Sequence, residues 1–548
     1  MNQRRYNIYF HTHTISGIII AAILYVIFFA GTLSFFKDDI SAWQKGKSIV
    51  AEQHPADYNY LLDSLGGKYN LRGRNFDFYV LKQGHGTYVN MSSSQDTTIS
   101  KPKPKGEERG RRRGRGGRDD DAAYFLHYFA DKSQSSYAEG YDMGEFLYRL
   151  HFLAQLNQVP MPIRLGTPFG YLLAGIVSFL FIFALITGLL LHWDKIKSNF
   201  FLFRPWNKWK TVWTDMHTVL GVIGFPFQLV FAVTGVILIV NFALISPFSK
   251  LLYDGNQEKL YEDLQYSRAM QVDYTYEPLE SHFDVNAFVD EWQQKWNGSP
   301  ITRLHIRNYM DKSMEVVVES KPKPQANFAG SGYAKVQVAN GKVLVSKSPN
   351  QDTNHIDRIK SLVYHLHFGD FGGRPLRIVF FLLGLTGCVV ILSGIMIWLV
   401  ARDKPNIPLY KRRFNFWAAN VFMAVCLAML PVTAFTFIMV KCLAHVDQSV
   451  IYSVYFYSWL ALSIYLVALR NLSTMNRHIL LLSVVTCLGV PIANGLSDGL
   501  WIWNTFQHKA YDIFFIDVLF ILMALCCGIA YWKVRKQAKP FKVTVIGK

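Results

Sequence analysis

The sequence predicts a polytopic α-helical membrane protein: a four-helix core built from two repeats, each carrying an outer α/β insert, followed by four further helices. Three observations predict it. Of 548 residues 51% are hydrophobic and the mean hydropathy is positive, which argues against a purely soluble chain. Apolar windows of bilayer length recur eight times, at roughly 14–36, 169–192, 217–240, 376–400, 414–440, 450–469, 478–498 and 512–532. The first and third windows also share a register: His13 precedes Gly17 by four positions and Gly31 by eighteen, and His217 precedes Gly221 and Gly235 by the same steps. That is an internal repeat.

In chain order, residues 1–37 read as the first span and 38–168 as an insert, with helix-like 48–66 and the strand-like FDFYVLKQ and GTYVNMSS joined by a turn at Gly84–Gly86. Within it, 101–121 is a Pro/Gly/Arg tract without apolar residues; it is expected to be disordered, a solvated spacer rather than a nucleic-acid footprint. Residues 169–240 give spans two and three. The second insert, 241–375, repeats the plan: DVNAFVDEWQQKWNG as an amphipathic helix, then the strands ITRLHIRNY, MEVVVES, YAKVQVA and KVLVSK, with Asn340-Gly341 as the strongest hairpin cue. Span four covers 376–400, four more spans fill 414–532, and 533–548 is a basic tail.

Short loops assign orientation through their Lys and Arg. Arg4 and Arg5, Lys195 to Lys210, Arg402 to Arg413, Arg470 and Arg477, and Lys533 to Lys539 all fall on one face. Both termini are therefore expected in the cytoplasm, and the net charge of +18 is chiefly a topology signal. No small-residue cleavage site precedes the first charges, so the first helix reads as a retained anchor. The six cysteines form neither CxxC nor CxxCH, which argues against zinc, iron–sulfur clusters and covalent haem attachment.

The histidines carry the chemistry. His13 and His217 stand at the start of outward-running helices on the inner side, while His151, expected on a short interfacial helix, and His367 precede inward-running helices on the outer side. A single histidine at a helix end is readily explained by a wet interface. Four at equivalent places in a repeat favour a shared task. Facing imidazoles supply both axial positions of a haem iron, which leaves no open position for oxygen chemistry and points to electron transfer. Eighteen helical residues rise about 27 Å, so Gly31 and Gly235 come near the outer face, and Thr187-Gly188 and Ser393-Gly394 near the inner one. Small residues there admit a macrocycle or another helix. His365, His11 and His192 are alternate ligands; His282, His305, His85 and His54 read as ordinary domain residues.

The chain resembles the PepSY-associated transmembrane family, which includes iron-regulated membrane proteins and ferric-siderophore reductases of the bacterial inner membrane. The carrying residues are His13-xxx-Gly17, Leu150-His151, Asp215-Met216-His217-Thr218-Val219-Leu220-Gly221 with Thr234-Gly235, and Leu366-His367-Phe368-Gly369 running into Gly372-Gly373-Arg374, over about residues 1–400. YAKVQVANGKVLV resembles the strand–turn–strand of a PepSY module. The resemblance implies two b-type haems, held by His13 with His217 inside and His151 with His367 outside, passing electrons outward to a ferric siderophore or other ferric chelate. Two departures stand out: no flavodoxin- or reductase-like extension is present, and four spans are added. A membrane quinol or a separate reductase would then be the electron donor. Two other functions compete: a siderophore or iron permease, for which Asp517 is the nearest midplane charge, and a membrane-anchored binding or regulatory protein without redox activity.

Overall fold

The computed structural model describes residues 2–48, 56–81, 86–98, 122–129, 131–159, 168–204, 209–243, 245–256, 259–260, 272–322, 328–349 and 355–536. The expected disordered tract at 101–121, most of the Gly84–Gly86 turn and the basic tail beyond 536 lie outside them. The chain divides into a helical unit (Met1–Ala51, Tyr141–Phe248, Leu366–Lys548) and a sheet unit (Glu52–Gly140, Ser249–His365).

Among the described residues eight helices are long and apolar enough to cross a membrane. They are span 1 (Gln3–Ser34), span 2 (Phe169–Leu191), span 3 (Trp209–Ala243), span 4 (Gly373–Arg402), span 5 (Leu409–Cys442), span 6 (Gln448–Ala468), span 7 (Leu472–Asp498) and span 8 (Tyr511–Lys536). Helix is the fold that satisfies every backbone group of such a segment within hydrocarbon. Their outward faces stay apolar, with Ile19 67% and Leu496 73% exposed, as lipid contact requires. Polar side chains close the ends: Asn2, Asp447 and Asn471 each accept from a backbone N–H of the first turn.

Spans 1 to 4 pack in a closed ring, each against the next and span 4 back against span 1. Glycine makes the last contact close: a Cβ at Gly384 would lie 2.3 Å from Thr32 Oγ1, and one at Gly387 2.5 Å from Phe28. Span 5 joins the ring to spans 6 and 7, and span 8 packs on span 7; Ala21, Met396, Leu399, Ala424, Leu466 and Met475 share one core. Among the short helices of this unit, two absent from the sequence reading or only outlined there matter below: Lys37–Lys45, packed on span 8, and Met143–His151, packed on span 1.

The two inserts, expected as separate α/β modules, join in a single antiparallel sheet. Its strands are β1 (Phe76–Val80), β2 (Gly86–Met91), β3 (Ala123–Tyr128), β4 (Gln134–Ser136), β5 (Ile301–Arg307), β6 (Glu315–Ser320), β7 (Gly332–Gln337) and β8 (Lys342–Lys347), in the order 4-3-2-1-5-6-7-8. The seam is β1 on β5, from Phe76 opposite Ile306 to Tyr79 opposite Arg303. Each insert on its own would leave that edge unpaired, and edge pairing is what joins them. The helices Tyr58–Gly66 and Val285–Lys295 cover one face, where Leu61, Phe76, Phe78, Trp292, Leu304 and Val316 form the core. Both helices begin Asp-x-Asn, and they cap one another: Asn59 donates to Asp284 and accepts from Val285 N–H, while Asn286 donates to Asp57 and accepts from Tyr58 N–H. The first starts at Tyr58, and residues 49–55 of the expected helical stretch 48–66 lie outside the described residues. The Asn340-Gly341 hairpin forms with a wider loop: Gln337 pairs with Lys342 around a helical turn, and Gly341 takes φ +66°, a conformation glycine adopts without penalty.

The opposite sheet face carries a charged cluster. His305 Nδ1 lies 2.8 Å from Asp77 Oδ1, Arg307 pairs with the same carboxylate at 2.7 Å, and Glu319 stands 3.8 Å from His305 Nε2. Burial pushes Asp77 up, but the His305 hydrogen bond and the Arg307 charge outweigh it and hold the carboxyl at about 2. Burial lowers His305, and the hydrogen bonds and charges of Asp77 and Glu319 reverse this to a net rise above 6.5. The His305 contribution to stability is thus complete below pH 6.5 and is lost as pH climbs through its raised value; the Asp77 contribution is complete above 3.8 and is lost as pH falls toward 2. Asp77→Asn is expected to cost the sheet unit about 2 kcal/mol at pH 6 and about half that at pH 3. Hydrogen exchange along β1 and β5 in the full chain measures it, and an equal cost at both pH values would rule out the charge linkage.

Candidate functional site: two facing histidine pairs

The ring of spans 1 to 4 brings the four histidines together two by two. His13 on span 1 faces His217 on span 3, ring centroids 6.0 Å apart and planes at 71°. At the other end of the ring His151, the last residue of its short helix, faces His367, with centroids 5.9 Å apart and planes at 39°. Eighteen residues of span 1 separate His13 from Gly31, which abuts His151, so the pairs stand about 27 Å apart along that helix.

Each imidazole is held the same way. His13 Nδ1 lies 2.9 Å from Ala184 O, His217 Nδ1 2.9 Å from Val390 O, and His151 Nδ1 2.8 Å from Ile27 O. A carbonyl only accepts, so Nδ1 carries the proton in all three and Nε2 keeps its lone pair. His367 Nδ1 lies 2.8 Å from Thr234 Oγ1, whose own proton goes back to Val230 O along the helix. The hydroxyl oxygen therefore accepts from His367, which takes the same tautomer.

A second regularity explains how the rings get in. A helix carbonyl four residues before a glycine is uncovered on the side where a Cβ would stand. Ala184 precedes Gly188, Val390 precedes Gly394 and Ile27 precedes Gly31 by four. A Cβ at Gly31 would lie 2.3 Å from His151 Nδ1, one at Gly188 3.0 Å from His13 Cε1, and one at Gly394 3.2 Å from His217 Cε1. A Cβ at Gly235 would lie 3.7 Å from His367 Cε1, and the preceding residue, Thr234, offers its hydroxyl in place of a carbonyl. The small residues expected to admit a macrocycle or a helix thus admit the histidines of neighbouring helices.

The donor set fits a metal bound axially by two imidazoles. Two such rings on opposite sides of one ion, each nitrogen at about 2 Å, place their centroids about 6 Å apart, the spacing of both pairs. Among the described residues no group of three or more His, Cys, Asp or Glu side chains is placed to hold a metal ion. One turn along from His13 and His217, a Cβ at Gly17 or at Gly221 would meet nothing within 4 Å. Beside the second pair Phe231 packs its edge on His367, with Phe35 and Phe380 behind it.

Of the alternates, His192 stands near enough to His217 for the two charges to interact. His11 is exposed against Phe10. His192 ends span 2, its backbone N–H bonded to Gly188 O and Leu189 O. His365 packs on Phe328 and Tyr364 in the sheet unit. Sequence reasoning missed the carbonyls of Ala184, Val390 and Ile27; the signal was the four-residue step back from each marked glycine. Gly31→Ala is expected to expel the His151 ring and lower the melting temperature of the purified apoprotein, whereas Gly17→Ala leaves it unchanged. Equal thermal shifts for the two would contradict this packing.

No curated protein matches the chain. The family model described as the PepSY-associated TM region matches residues 10–401, and this interval holds spans 1 to 4, the sheet unit and all four paired histidines. The chain is a multi-pass membrane protein that belongs to the PepSY-associated TM family.

Proposed function

We propose that this protein is a di-haem b-type electron-transfer protein of the bacterial inner membrane, with both termini in the cytoplasm, which reduces ferric siderophores or other ferric chelates on the periplasmic side. The observation that carries the proposal is the facing of His13 with His217 and of His151 with His367 at bis-imidazole spacing, all four with the ring proton on Nδ1.

Haem bound at these pairs would supply one-electron chemistry with no vacant axial position. The chain does the rest. Carbonyls of Ala184, Val390 and Ile27, with Thr234 Oγ1, fix the rings and raise their basicity as outer partners of ligating histidines do. Apolar walls keep water out of the ring. The bidentate Arg204–Asp215 pair, at 2.9 Å on both oxygens, anchors the start of span 3 two residues before His217. A membrane quinol or a separate reductase would deliver electrons at the cytoplasmic pair, and the chelate would take them at the periplasmic one. The permease reading finds less support, because both oxygens of Asp517 accept hydrogen bonds inside the bundle, from Trp43 and Asn494.

Purified wild-type protein is expected to show reducible Soret and α bands and two haems per chain; their absence would defeat the proposal. His217→Ala should leave one haem per chain, counted by pyridine haemochrome, and an unchanged count would remove His217 from the ligand set. Gly221→Ala, which fills open space without touching the apoprotein, is expected to weaken haem retention at the same pair.

A further inference from the structure

Spans 5 to 8 contribute no member of either histidine pair and lie beyond the matched family interval. Buried polar links nevertheless run from them to the second pair, through the helix Lys37–Lys45. On its bundle side, fully buried Trp43 donates Nε1–H to Asp517 Oδ1 of span 8 at 2.8 Å, and Asn494 of span 7 donates to Oδ2 at 2.9 Å. The Lys441 ammonium of span 5 lies 4.7 Å above the Trp43 ring and pairs with Asp498 of span 7. Ser48 donates to Asp512 Oδ1 at 2.7 Å, and Gly46, at φ +65°, ends the helix where a Cβ would stand 3.0 Å from Asp498.

On its other side the same helix grips the helix that ends at His151 and the head of span 4, which follows His367 in the chain. Asp142, which caps the helix ending at His151, accepts from Ser41 at 2.9 Å and pairs with Lys45 at 3.0 Å. Gln44 accepts from Met143 N–H at 2.8 Å, and Lys37 pairs with Glu145. Gly144 brings the two backbones together, since a Cβ there would lie 2.3 Å from Lys37 O. Asp39 takes a hydrogen bond from Arg374 at 2.5 Å, seven residues after His367 at the head of span 4.

We infer that spans 5 to 8 clamp the second histidine pair: Asp517, acting through Trp43, is a positioning residue that sets how His151 meets His367. A carboxylate buried in a span is costly unless it is put to use, and here it fixes the one helix to which the His151-bearing helix and the head of span 4 are tied. The inference rests on the pair being the outer cofactor site, and the test separates the two claims.

Trp43→Phe keeps the ring and removes the donor; Asp517→Ala removes the acceptor; Asp517→Asn retains an oxygen for Trp43. In full-length protein in lipid nanodiscs without added haem, the first two should speed hydrogen exchange along Met143–His151 about tenfold, leave the start of span 3 unchanged, and add little to each other when combined. Asp517→Asn should restore slow exchange. In haem-loaded protein the same two variants should shift the redox potential and the low-spin resonance signature of one haem while the other stays fixed. Unchanged exchange along Met143–His151, or equal changes at both pairs, would overturn the clamp. A wild-type chain that takes up no haem would defeat the functional proposal alone, because the exchange measurement still decides the clamp. Should Asp517→Ala fail to accumulate, Trp43→Phe decides it.

Discussion

Everything at the two histidine pairs depends on one interaction, an imidazole Nδ1–H reaching an acceptor that a missing side chain has uncovered on the next helix. Helix carbonyls are normally spent on their own ladder, but each has a second lone pair. Where Gly188, Gly394 and Gly31 replace a larger residue, that lone pair faces the neighbouring helix, and His13, His217 and His151 take it. The consequence is chemical as well as geometric. The proton is fixed on Nδ1, so Nε2 of each ring keeps its lone pair.

The same exchange between halves of the repeat recurs throughout the molecule. His13 pairs with His217 and His151 with His367, each drawing one ring from either side of the repeat. In the sheet unit β1 of the first insert pairs with β5 of the second, and the two covering helices cap each other through Asp57, Asn59, Asp284 and Asn286. A single half would hold two unmatched histidines, an open sheet edge and one half-satisfied cap. Each pair and the sheet seam therefore need both halves of the repeat.

The added bundle of spans 5 to 8 follows a different logic. Its contacts with the ring are apolar near Leu399 and Phe416 and polar near Trp43, where Asp517, Asn494, Lys441 and Asp498 gather around one indole. Burying that many polar groups within a membrane protein is sustained by mutual hydrogen bonding. Its effect is to immobilise a nine-residue helix too short to be stable alone.

By itself the sequence determined the eight spans, the repeat, the second insert's helix and strands, and the four histidines with their companion glycines, because hydropathy over a bilayer width and a fixed helical rise are local properties. It left open whether His365 or His367 joins the second pair, read the inserts as two modules, and passed over β3, β4 and the partners of Asp517. These are decided by contacts between residues far apart in the chain: Asp517 and Trp43 are 474 positions apart, and His13 and the carbonyl of Ala184 are 171 apart. Only the tertiary structure could decide them, since no local pattern records which edge a strand will pair with or which buried carbonyl a ring will reach.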